Sequence, residues 1–287
     1  SWRRVVAMIP TIRLRRLAAE MRRLRESHEM AREQVSERTG MNEATIYRLE
    51  TARVRRPQKR TLMALLDLYG VVDPQREELL ALGRDGEQQG WLQPYHAELP
   101  EQYTTYIGFE VEARSVSNYE SLFVPGLLQT EDYARAVISG VLPMASEHEA
   151  TQNLQARIDR QQLLSKPDPL KLWAIVDEAA LHRQVGGPKV MRAQLLHLIK
   201  MSGDPNVTLQ VIPFGAGAHS GMAGSFILLD FPDPAYPDVV YIESLAGDLF
   251  LEKEVELRRY HLMFQHLRAV AISPGRSASM LAALTED

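Results

Sequence analysis

In the stretch NEATIYRLE, Ala44, Thr45, Tyr47 and Arg48 have the types and spacing to read the edges of base pairs. At about 100° per residue, with Ile46 and Leu49 turned inward, Ala44, Tyr47, Arg48 and Thr51 face outward and Glu43 and Thr45 lie on the flanks. An outward arginine can make a two-pronged contact to guanine, and a tyrosine can meet a thymine methyl or a phosphate. Asn42 stands where it caps the helix beside a nucleic-acid backbone. The alternative for the same residues is a solvated helix face.

A second group of side chains suits phosphate. Arg53, Arg55 and Arg56 follow the short helix, and Lys59 and Arg60 fall in the first turn of the next one. Cations there oppose the helix dipole and cost a few tenths of a kcal/mol unless an anion approaches, and a helix N-terminus is itself an anion site. Together the five predict a phosphate clamp; the alternative is a basic loop that only aids solubility.

In the second half, Asp177 and Glu178 end one apolar strand and Glu243 ends another, while His219 sits in the glycine-rich FGAGAHSGMAG. These four are the candidates for a ligand pocket beneath a mobile hairpin or lid, against a plain loop with capping carboxylates. Strand-end carboxylates can also serve acid–base chemistry, as in a nucleotide-using transferase. The expectation is nonetheless that the chain is no enzyme. The histidines lack metal-ligand spacing, so no metal and no cofactor is expected.

The elements that must position these groups can be read from periodicity. Leu14, Leu17, Met21 and Leu24 put an apolar stripe on a helix over 12–27, and further short helices are predicted at 31–38, 42–51, 57–69 and in DPQREELLALGRDG, with Asp73 as cap and Pro74 in the first turn. Counting Arg32 as the first position, Val35 is apolar, Ser36 small, Gly40 at the turn and Met41 apolar, and Ile46 and Leu49 face inward. Two helices crossing at a sharp angle need that pattern, so the segment reads as a helix-turn-helix. Residues 83–100, rich in Gly, Gln and Pro, read as a linker. Beyond it, RSVSNYESLFVPG reads as extended and strands are expected in LKLWAIVDE, NVTLQVIPF, GSFILLDF and DVVYIES, among four helices.

The predicted fold is thus multi-domain: an all-α five-helix helix-turn-helix domain over 12–82, a linker over 83–100, and an α+β domain with a mostly antiparallel sheet over 101–287. Charge divides the same way. Residues 1–69 hold 16 Lys/Arg against 8 Asp/Glu, leaving 17 against 29 for the rest, inside a net charge of −4. Such asymmetry points to a polyanion partner for the first segment alone. With no cysteine, no stretch of about 18 apolar residues and too short an apolar run at the basic start for a signal peptide, a soluble cytoplasmic protein is expected.

The run LRRLAAEMRRLRESHEMAREQVSERTGMNEATIYRLETARVRRP resembles helix-turn-helix regulators of the xenobiotic-response-element, phage-repressor-like type. The resemblance implies double-stranded DNA as partner and a homodimer on two half-sites about 34 Å apart. It makes Arg32, where the family often has a phosphate-touching glutamine, a phosphate contact. It makes Glu50 an acid that pairs with an arginine of the first helix. Glu29 and Ala52 stand where the family often has glycine, so both turns are expected to differ in backbone detail. YESLFVPGLLQTEDYARAVI and DVVYIESLAGDLFLE, with the segments between, resemble the large C-terminal domain of unknown function of actinobacterial regulators. That resemblance implies a small acidic protein partner, with a small-molecule effector the other expectation. The reading is a sequence-specific transcription regulator, the alternatives being an antitoxin-like interaction module and a DNA-tethered transferase. No membrane contact is expected.

Overall fold

The computed structural model of the chain describes residues 12–54, 56–84, 99–232, 238–244 and 247–286. It divides into two compact units, Ser1–Phe109 and Glu110–Asp287.

The first unit contains α1 (Ile12–Ser27), α2 (Arg32–Thr39), α3 (Glu43–Glu50), α4 (Lys59–Leu68) and α5 (Gln75–Arg84), and α6 (Glu101–Glu112) runs across the division. The stripe read from α1 is its core face: Leu17, Met21 and Leu24 join Val35, Ile46, Leu49, Leu62, Leu65, Leu66 and Leu79 in one apolar cluster. Fully burying each such side chain is worth roughly 1.5–3 kcal/mol, enough to hold helices too short to persist alone. α5 begins at Gln75, so Pro74 stands just before the helix rather than in its first turn. Gly83 and Arg84, assigned to the linker by composition, complete α5. Gly83 is a packing residue: a Cβ there would lie 2.5 Å from a methyl of Leu62. Of the rest of the expected linker, residues 85–98 lie outside the described residues.

The second unit is α+β. Its strands are β1 (Ser115–Glu120), β2 (Lys171–Asp177), β3 (Val207–Ile212), β4 (Phe226–Asp230), β5 (Val239–Ile242) and β6 (Leu249–Leu251). They form one mixed sheet in the order β3-β2-β1-β4-β5-β6. β1–β4, β4–β5 and β5–β6 are antiparallel, whereas β1–β2 and β2–β3 are parallel. The parallel half follows from connectivity. The chain leaves β1 through α7 (Glu131–Val141) and α8 (Glu147–Arg160) and leaves β2 through α9 (Glu178–His182) and α10 (Pro188–Met201), and helical crossovers return a strand parallel.

Side chains alternate between the two faces of the sheet. Tyr119, Ile175, Phe226, Leu228 and Val240 pack on Leu257, Phe264 and Leu267 of α11 (Glu254–Val270). The opposite set, including Val116, Ala174, Val176, Leu209, Val211 and Leu229, is also buried, so both faces are covered. The last helix, α12 (Pro274–Leu284), is tied to β3 by the Ser277 hydroxyl, which accepts from the amide of Val211 at 3.0 Å. Arg160 of α8 and Glu110 of α6, both buried, form a two-pronged pair at 2.6 and 2.8 Å.

The glycine-rich loop is not a hairpin. β3 and β4 are separated in the sheet by β2 and β1, so the loop crosses the ends of two strands. Along the way it makes two short 3₁₀ turns, Phe214–Ala216 and Ser220–Ala223.

Candidate nucleic-acid interface

The short helix α3 is held at three points. Asn42 is its cap, with the side-chain oxygen accepting from the amide of Ala44 at 2.8 Å. Gly40 closes α2 in the left-handed conformation, φ 69°, so the chain turns sharply into α3. Ile46 and Leu49 anchor the inner face at 1% and 3% exposure.

A further anchor is ionic. Glu50, 2% exposed, accepts from Nε and a terminal nitrogen of Arg25 at 2.7 and 3.1 Å. Its second oxygen also accepts from Nε of Arg32 at 2.8 Å. Arg22 adds a bond to the Glu50 carbonyl at 3.0 Å. A buried carboxylate needs such partners, because desolvation alone would drive it neutral. The bond to Glu50 in turn holds the Arg25 guanidinium above its usual pKa, and burial, with Glu50 nearby, pushes the Tyr69 hydroxyl up to about 12. The acid expected to pair with a first-helix arginine therefore does so. Arg25 itself is one of six arginines in α1, and its mark in the sequence is its position four residues after Met21, on the apolar stripe.

Arg32 is consequently part of the frame as well as a candidate phosphate contact. Its guanidinium lies 5.3 Å from the centre of the Tyr47 ring, and that of Arg53 lies 5.7 Å from the same ring. Tyr47, 40% exposed, is thus a platform between two cations from different segments. Sequence reading missed this stacking, because Arg32 and Tyr47 are fifteen positions apart and meet only through the turn at Gly40.

The outward residues are where the periodicity puts them. Ala44, Tyr47 and Arg48 are exposed and Thr45 is half-buried, with Arg48 loosely held by the Thr45 hydroxyl at 3.4 Å. Arg53, Arg56, Lys59 and Arg60 are exposed, while Arg55 lies outside the described residues. Gln58 caps α4 without a side-chain capping bond, so the first-turn amides are left beside Lys59 and Arg60.

The two turns expected to differ hold residues other than glycine in a backbone conformation that favours it. Glu29 and Ala52 have φ 53° and 55°, the left-handed region that favours glycine. The Ala52 amide bonds to the carbonyl of Leu49 at 3.2 Å and that of Arg53 to the carbonyl of Arg48 at 2.7 Å, which closes the end of α3. A side chain is accommodated at each position at some cost in strain.

Of the four candidates in the second unit, three meet. One oxygen of Asp177 caps α9 through the Ala179 amide at 2.9 Å and the other bonds Nε2 of His219 at 3.2 Å. Nδ1 of His219 accepts from the Gly221 amide at 3.2 Å, so Nε2 carries the proton and donates to Asp177. Glu178 accepts from the Phe214 amide at 2.5 Å and sits 3.2 Å from His182. A Cβ on Gly221 would lie 2.4 Å from the Tyr119 ring, so the loop lies directly on that ring. These groups bolt the loop down. Glu243 is exposed, just beyond β5, and belongs to a different cluster.

Fold and site together define a class: a helix-turn-helix module followed by an α+β domain, the architecture of a DNA-binding regulator. Residues 16–79 match the family model of a helix-turn-helix domain, and residues 103–283 match that of a domain of unknown function, DUF5753. The second match spans more than half of the chain, which therefore belongs to the DUF5753 family, with a helix-turn-helix domain ahead of the shared domain. No curated protein and no solved structure matches the chain. Among the described residues, no helix is long and apolar enough to cross a membrane.

Proposed function

We propose that the protein is a sequence-specific transcription regulator of the phage-repressor-like type, in which α3 enters the major groove. The observation that carries this reading is the division of α3 into a buried face, Ile46, Leu49 and Glu50, and an exposed one, Ala44, Tyr47 and Arg48. Arg48, with Ala44, Thr45 and Tyr47 beside it, reads base edges; Arg32, Asn42, Arg53, Arg55, Arg56, Lys59 and Arg60 hold phosphate. The protein binds as a homodimer, and the second unit senses a small molecule or a protein partner. Its role there is taken as structural rather than chemical: Asp177 and His219 bond each other and backbone amides, and Glu178 bonds the Phe214 amide and faces His182.

Selection from a random duplex library tests the reading. The wild type should enrich a site of two related halves about 34 Å apart, with Kd rising steeply with salt. Recovery of unenriched duplex, or binding indifferent to salt, would reject it.

A further inference from the structure

The carboxyl end of β1 carries a polar cluster that the described contacts leave unfinished. β1 is where the sheet changes character, pairing in parallel with β2 and antiparallel with β4. Continuing the β1–β4 register by one residue and the β4–β5 register by two aligns Glu120, Ser225 and Glu243 in a row across three strands. Asn118 lies one step back on the same face, by the alternation of the strand.

Two atoms in this cluster lack a hydrogen-bond partner. Asn118 is 5% exposed, yet its side-chain oxygen has no donor, and Nε of Arg157 from α8 has no acceptor. Arg157 is held at its other end, where a terminal nitrogen donates to Gln129 at 3.2 Å, and Gln129 is fixed in turn by the Val124 carbonyl at 2.7 Å. Buried polar atoms without partners are uncommon in folded proteins and call for an explanation. Glu120 is the hub. Burial drives its carboxyl up to about 7, against the pull of Ser225; Glu243 raises it further, and Arg157 and Asn118 draw it down. A group poised between acid and carboxylate can both accept from and donate to a visitor. Two other orphans, the Tyr119 hydroxyl and the Ser220 hydroxyl, belong with the glycine-rich loop and the other face.

We infer that the Glu120–Asn118–Arg157 cluster is a binding site for a small molecule presenting an N–H donor and a carbonyl or carboxylate acceptor a few bonds apart, as an amino acid or primary amide does. The donor goes to Asn118 Oδ1 and the Glu120 and Glu243 carboxyls, and the acceptor takes the Arg157 Nε–H. This deepens the sensing half of the proposed function and rests on it.

The test is the melting temperature of the full-length protein with the common amino acids and their α-amides, each at millimolar concentration. At least one should raise the wild-type Tm by several degrees. The shift should vanish in Asn118→Leu and fall at least tenfold in apparent affinity in Arg157→Lys, which keeps the cation and removes the Nε–H. No shift in the wild type would mean that ordered water alone completes the cluster and would overturn the inference, as would a shift unchanged in both variants. Duplex binding measured in parallel separates the two readings. Intact binding without a shift removes only this site, and a shift without duplex binding removes the regulator reading.

Discussion

At the scale of single residues, the frame around α3 is held by a buried charge and by two backbone positions under strain. Glu50 is paired with Arg25 and Arg32, and truncating it strands the largely buried Arg25 without its carboxylate. Glu50→Ala should destabilise the first unit by about 3–5 kcal/mol and take duplex binding with it. Denaturant unfolding checks this; a loss below about 1 kcal/mol would show the pair to be incidental. Ala52 sits at φ 55°, so Ala52→Gly should relieve strain and stabilise by up to about 1 kcal/mol, against the usual penalty for added chain freedom. A lower Tm would show that position to be unstrained. Both residues could be picked out through the resemblance, Glu50 as the acid that pairs with a first-helix arginine and Ala52 as standing where the family often has glycine. Neither the second arginine on Glu50 nor the sign of φ could be, because each depends on how the segments close in space.

At the scale of elements, α4 shows a compromise. Gln58 holds the cap position with extended backbone, φ −67° and ψ 130°, but makes no side-chain cap, and two cations occupy the first turn. Gln58→Asp should stabilise α4 by about 1 kcal/mol through a cap and the dipole. The same carboxylate would repel phosphate, so duplex affinity should fall while Tm rises. Affinity and Tm rising together would dissociate this helix end from phosphate. Elements with a strong period were legible: α1, α3, α10 and α11, and β1 to β5. The short β6 and the helices α6 and α12 were not. β6 has three residues, too few for alternation, and α6 mixes Tyr103, Tyr106, Ile107 and Phe109 with no clean stripe. Sheet order was beyond periodicity altogether, so the glycine-rich stretch between two strands passed for a hairpin although its strands are not neighbours.

At the scale of the whole molecule, charge division and architecture agree. Residues 1–69, with 16 cations against 8 anions, include α3, and every strand of the sheet lies in the acidic remainder. In the second unit the sequence singled out Asp177, Glu178 and His219, which bolt a loop, and passed over Glu120, Asn118 and Arg157, whose meeting depends on strand register. The central claim is that Arg48 reads sequence while its cationic neighbours only grip, and it is tested most directly by comparing Arg48→Ala with Lys59→Ala on an enriched duplex and on random DNA. Arg48→Ala should lose about 1–3 kcal/mol on the enriched site and little on random DNA, while Lys59→Ala weakens both alike and lowers the salt slope by about one unit. Equal losses on both duplexes for Arg48→Ala would contradict the account.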